Sequence, residues 1–149
     1  MHPDQVTVER TIAAPAATIF AIVADAARHS EIDGSGTVRG TKGGSQPLEL
    51  GSQFGMSMKQ GLPYSTKNTV VEFEPDRRIA WKTTGMFGLV GGRIWRYELE
   101  PTDGGTIVRE TWDARQDKQR KQLLKTSIPR KNQIGMERTL QRLAEVVEG

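Results

Sequence analysis

Toward the end of the chain, Met136, Leu140, Leu143 and Val147 recur at steps of four, three and four. That repeat lines one stripe of an α-helix. Pro129 suits the first turn, where its missing N–H would have no intrahelical partner, and Gly149 ends the pattern. Glu137, Arg138, Gln141, Arg142 and Glu145 fall on the other side. The spacing therefore predicts an amphipathic helix over residues 129–148 whose apolar stripe must lie on something. A shorter helix is predicted after Pro15, with Ala16, Ile19, Phe20 and Val23 along one side and an end between residues 25 and 29.

Between the helices the period falls to two, the mark of half-buried strands. Val6, Val8 and Ile12 alternate with Gln5, Thr7, Glu9 and Thr11. Residues 37–41 form a weak strand closed by Lys42-Gly43-Gly44-Ser45. Phe54, Met56 and Met58 alternate with Gly55, Ser57 and Lys59, and Thr69, Val71 and Phe73 with Asn68, Val70, Glu72 and Glu74. Ile79, Trp81 and Thr83 make the next inward row, followed by Trp95, Tyr97 and Leu99. Pro75-Asp76-Arg77 and Thr102-Asp103-Gly104-Gly105 read as turns, the second leading into a strand over residues 106–112. The order is strand, helix, about six strands, helix, with no repeat and no linker. Short turns between successive strands imply an antiparallel sheet, and the whole reads as a single α+β domain over residues 1–149.

Composition narrows this picture. A chain of 149 residues buries roughly 70% of its unfolded surface, so it needs no covalent staple. It has no cysteine, which rules out disulfides and thiolate chemistry and fits a reducing, cytoplasmic setting. The net charge of +3 permits anionic partners without demanding them. No apolar run approaches the length of a membrane span, and the first residues lack a signal-peptide layout.

Several motifs resolve to bland readings. Gly34-Ser35-Gly36 resembles a phosphate loop, but Arg39 stands where a dinucleotide fingerprint needs its third glycine, so it reads as a turn. His29, Glu31 and Asp33 sit at alternate positions in a turn-rich stretch with no fixed geometry, and no metal is expected. His29 reads better as a cap on the end of the first helix. The basic run of Arg115, Lys118, Arg120, Lys121, Lys125, Arg130 and Lys131 carries no interleaved aromatics. It reads as a solvated face open to weak attraction by anionic lipid, rather than as a nucleic-acid surface. The apolar loop 86–90 lies among Gly85, Gly88, Gly91 and Gly92, which leave its backbone loosely determined. It reads as a lid on the core, a mobile gate for ligand entry or a partner-contact patch. No Gly-x-Ser-x-Gly or similar nucleophile signature is present.

The inward rows collect Met56, Met58, Phe73, Trp81, Trp95, Tyr97 and Trp112. Such residues make an ordinary core, but methionine adapts to irregular ligands and Trp and Tyr join an apolar body to a polar tip. On the residues alone, core and cavity both stand.

Val8-Glu9-Arg10-Thr11-Ile12-Ala13-Ala14-Pro15 followed by an apolar helix resembles the opening of the START-related polyketide cyclase/dehydratase and lipid-transport superfamily. So do the stretch from Arg28 to Val38 and Gly51-Ser52-Gln53-Phe54, while Gly135 to Leu143 resembles its closing helix. The resemblance spans essentially the whole chain. It implies a helix-grip fold: a seven-stranded antiparallel sheet wrapped around the C-terminal helix, with an internal apolar cavity. It carries no reaction, since fold is not function. With it, the inward rows read as a cavity, and Met136 and Leu140 of the helix stripe join the expected lining. The leading expectation is then binding or carriage of a small hydrophobic or aromatic molecule, without a cofactor. An enzyme of the cyclase/dehydratase kind is the alternative, with Glu110, Tyr97 and Arg10 as acid/base candidates. An interaction module using the loop 86–90 and the basic run is a third. The resembled fold sets its first and last strands side by side, so an Arg10–Glu110 ion pair at the cavity wall is expected, unless a bulge turns one side chain to solvent. Glu9 and Arg109 are expected to share the outer face.

Overall fold

A computed structural model describes residues 3–34, 38–41, 47–60, 62–85 and 90–148; for residues 38–41, 56–60 and 62–65 it describes the backbone alone. The chain forms β1 (Gln5–Ile12), α1 (Ala16–Val23), a 3₁₀ turn (Ala26–Arg28), α2 (His29–Ile32), β2 (Val38–Thr41), β3 (Gln53–Gln60) and β4 (Leu62–Glu74). There follow β5 (Arg78–Gly85), β6 (Val90–Thr102), β7 (Gly105–Asp113), α3 (Arg120–Leu123) and α4 (Ile128–Glu148). The strands make one antiparallel sheet in the order β1-β7-β6-β5-β4-β3-β2. Consecutive strands therefore pair as hairpins, and β1 closes on the far side against β7.

The pairing explains which side chains face inward. From β4 to β1 one inner row runs Val70, Trp81, Trp95, Trp112, Val6, and the next runs Phe73, Ile79, Tyr97, Glu110, Val8. The expected row of Thr69, Val71 and Phe73 is broken. A bulge between Val70 and Glu72 inserts an extra residue and shifts the phase by one. Asn68 and Val70 are consequently buried and Val71 is 39% exposed. On the outer face, Glu9 and Arg109 meet at 2.9 Å, and Arg96 and Arg78 bind Glu72 and Glu98 at 2.6 and 3.0 Å.

The long helix lies where its stripe requires. Met136, Leu140 and Leu143 are almost wholly buried, joined by Thr139 and Ala144, and Val147 packs on the core from its edge. Gly34 locks the helix in place. Its N–H donates to Thr139 Oγ1 at 2.9 Å, and that hydroxyl donates to Gly135 O at 3.0 Å. A Cβ at Gly34 would sit 2.3 Å from Gly135 O and 2.4 Å from Thr139 N. These obstacles are helix backbone, so they have no side-chain rotation with which to yield. Gly34→Ala should therefore cost about 3 kcal/mol, at the upper end of overpacking losses. Urea unfolding checks this, and a loss below about half a kcal/mol would mean α4 shifts freely.

Candidate functional site

The inner rows meet α1, α2 and α4 in an aromatic band. Trp81, Trp95 and Trp112 are successive cross-strand partners on β5, β6 and β7. The His29 ring stacks on Trp81 with centroids 5.0 Å apart and an interplanar angle of 21°. Phe54 stands edge-on to both, and Tyr97 lies 5.7 Å from Trp81. Sequence periodicity missed His29 as part of this band because α2 is too short to show a stripe. Phe54 was readable in its alternation with Met56 and Met58. As expected of a cap, His29 Nε2 lies 2.7 Å from the carbonyl of Val23, the last residue of α1. Burial pushes the imidazole pKa down, so the neutral ring donates its Nε2–H to that carbonyl.

Of the expected lining, Trp81, Tyr97, Trp112, Met136 and Leu140 are buried, while Trp95 and Phe73 are only partly buried. Phe73 meets Phe20 of α1 edge-on at 5.7 Å. Met56 and Met58 sit in β3 opposite Thr66 and Tyr64, and their side chains lie outside the described residues.

Glu110 and Tyr97 are direct partners across β6 and β7. Burial pushes the Glu110 carboxyl up to about 8; a hydrogen bond with Tyr97 works the other way, and the Asp33 charge adds to the rise. Burial, followed by the field and hydrogen bond of Glu110, pushes the Tyr97 phenol well above its ordinary range. Near neutral pH both groups carry their protons. Two buried polar atoms here have no partner among the described residues: Glu110 Oε1 and Trp112 Nε1.

Arg10 does not join them. The β1–β7 register is continuous and sets Val8 opposite Glu110, with Arg10 opposite Val108. The bulge alternative is thus absent from this pair of strands. Arg10 is exposed, on the edge strand of the sheet, and lines a groove of about 310 Å³ between β1 and α4 with Gln133, Glu137 and Leu140. A guanidinium that can reach water there avoids the desolvation that pairing inside would require. The expected Arg10–Glu110 ion pair is therefore replaced by a Glu110–Tyr97 pair.

The other expectations divide. Glu31 pairs with Arg28 at 2.9 Å, while His29 is turned into the aromatic band. Within the basic run, Arg115 binds Asp113 at 2.8 Å and Arg120 binds Asp4 at 2.7 Å. Residues 86–89 of the apolar loop lie outside the described residues. Its following glycines are not loose: Gly91 and Gly92 are buried, with φ of +91° and +114°. A Cβ on Gly91 or Gly92 would come within 2.6 Å of Thr83 O or Gln116 O, respectively. They allow β6 to lie close against β5 and the segment before α3.

An antiparallel sheet holding a long C-terminal helix against an aromatic inner face is the helix-grip architecture. The chain belongs to the polyketide cyclase/dehydrase and lipid transport family, whose model matches residues 3–148. It is similar to the uncharacterised protein Rv0088 of Mycobacterium tuberculosis, 39% identical over 149 residues. That match covers 96% of this chain and 64% of the relative, so the chain spans a little under two thirds of the relative's length. Protein CV1439 of Chromobacterium violaceum superposes with a TM-score of 0.75 at 18% identity, over 99% of both chains. The AHSA1-like protein from Aeromonas hydrophila gives 0.70 at 18% identity, over 97% of this chain and 92% of that one. At such identities these two show a common fold. No helix among the described residues is long and apolar enough to cross a membrane.

Proposed function

We propose that residues 1–149 act as a single cytoplasmic domain that binds or carries a small hydrophobic or aromatic molecule. In this reading the seven strands and α4 enclose an apolar cavity, lined by the tryptophan row, Tyr97, Phe73, Met56, Met58, Met136 and Leu140. The observation that carries it is the state of Trp95. It lies on the inner face between Trp81 and Trp112, yet remains partly accessible while both neighbours are buried. Accessible aromatic surface inside a ring of buried aromatics is what a ligand pocket presents. Native mass spectrometry of gently purified protein should show a mass above that of the polypeptide, lost on denaturation. A clean polypeptide mass, together with no binding across a panel of lipids and aromatic compounds, would overturn the reading.

Acid/base catalysis in the same cavity is a second reading, favoured by the Tyr97–Glu110 pair. A carboxyl held at about 8 can donate and recover a proton near neutral pH. If the pair is catalytic, Glu110→Gln and Tyr97→Phe should each slow turnover of a hydroxy-carbonyl substrate by roughly 10²–10⁴-fold. Unchanged turnover would remove both residues from the chemistry.

A further inference from the structure

We propose that Glu110 Oε1 and Trp112 Nε1 form a two-point hydrogen-bonding site for the oxygens of a neutral, hydroxy- or keto-substituted aromatic ligand, and that this site rejects carboxylates. The inference rests on the cavity reading above and adds the chemistry of the ligand. Both atoms are fully buried and lack a hydrogen-bonding partner among the described residues, although native interiors leave few such atoms unsatisfied. They belong to residues two apart on β7, so their side chains share the inner face from backbone positions about 6.6 Å apart along the strand. Their surroundings are flat and apolar: Trp95 lies beside Trp112, and Tyr97 beside Glu110. Trp95 is the partly accessible member of the row, so accessible aromatic surface belongs to the direct cross-strand partner of Trp112.

The donors and acceptors set the class of ligand. An indole N–H only donates, so it needs an acceptor oxygen such as a carbonyl, phenol or ether. A carboxyl can donate when protonated and accept when ionised, so it takes a carbonyl or a hydroxyl. A hydrocarbon satisfies neither atom. A carboxylate meets a worse obstacle, because the charged groups acting on Glu110 do not include a cation. Its neighbours are Tyr97 and Asp33; Arg93 is held by Asp117 at 2.9 Å, and Arg10 lies in the groove between the edge strand β1 and α4. A fatty-acid head placed here would bury a negative charge without a counter-ion.

Calorimetric titration of the whole protein at neutral pH with naphthalene, naphthol, dihydroxynaphthalene and naphthoate tests this. Naphthol should bind on the order of tenfold tighter than naphthalene, and a well-placed second hydroxyl should add a similar step. Naphthoate should bind at least tenfold more weakly than naphthol. Trp112→Phe and Glu110→Gln should each shrink the advantage of the hydroxylated rings. The wild-type ladder needs no variant, so a variant that fails to fold does not decide the matter. Equal binding of naphthalene and naphthol, or naphthoate binding as tightly as naphthol, would overturn the two-point site and leave the cavity reading standing. Failure of every ring compound to bind would also overturn the two-point site, and the cavity reading would fall with it only if the native mass is clean and the lipids fail to bind as well.

Discussion

Glu110→Gln should remove a loss of stability that the wild-type protein suffers as pH rises from about 4.5 to about 8. The carboxyl is 4% exposed, and burial is the main reason that its pKa is raised in the folded state. Across this window the unfolded chain has released the proton while the folded chain still holds it. The folded state thus binds more protons, and stability falls with rising pH. The contribution is fully present below 4.5, the ordinary carboxyl value, and is spent once the folded group has ionised near 8. Each pH unit is worth about 1.4 kcal/mol, so the loss approaches roughly 5 kcal/mol at most and is smaller where water enters the pocket. Gln keeps the shape and cannot ionise, so its stability curve should be flatter over this range. Urea unfolding of both proteins at a series of pH values measures the difference directly. Parallel curves would mean that Glu110 reaches solvent and titrates normally.

The second large effect is expected at the centre of α4. Leu140 is 1% exposed and packs in the one core cluster with Val8, Tyr97 and Trp112. Leu140→Ala removes three buried carbons and leaves a void that the stiff sheet beneath cannot fill, which should cost about 2–5 kcal/mol. The low end would apply if α4 settles toward the sheet, and Gly34, wedged against the helix backbone at Gly135 and Thr139, resists that movement. A change below about half a kcal/mol in urea unfolding would mean that the stripe faces elsewhere.

What the sequence made legible was periodic. The α4 stripe, the short turns and the shared face of the three tryptophans all follow from repeats of 3.6 or two, which side chains record directly. The bulge at Val70 was not legible. An extra residue in a strand changes the phase of everything before it, and Asn68-Thr69-Val70-Val71 has no residue that marks where the shift falls. Parity put Arg10 on the inner face, and its place opposite Val108 agrees, but parity gave no sign that its side chain is exposed. Parity does not say that β1 is the sheet's edge strand, or that a long side chain there can reach a groove beside α4. The Tyr97–Glu110 contact required a register across β6 and β7, which the hairpin turn at Asp103-Gly104 could have supplied. His29 needed the tertiary structure: nothing in a four-residue helix says which ring it will stack against.

The closure of β1 on β7 also sets a timetable. Glu9 and Arg109 pair across 100 positions of chain, and Ala13 bonds Glu148 across 135. At typical rates of synthesis the first strand emerges roughly 5–20 s before β7, its neighbour in the sheet, exists. During that interval its hydrogen-bonding edge is open on both sides. The hairpins from β3 to β7 can form as they appear, because their contacts are local, but the tryptophan row they create, met at Trp81 by His29 and Phe54, lacks the cover of α4 until that helix arrives. A nascent chain of this protein therefore displays an incompletely covered aromatic face late in its synthesis, and a ribosome paused between β7 and α4 would leave that surface for chaperones to shield.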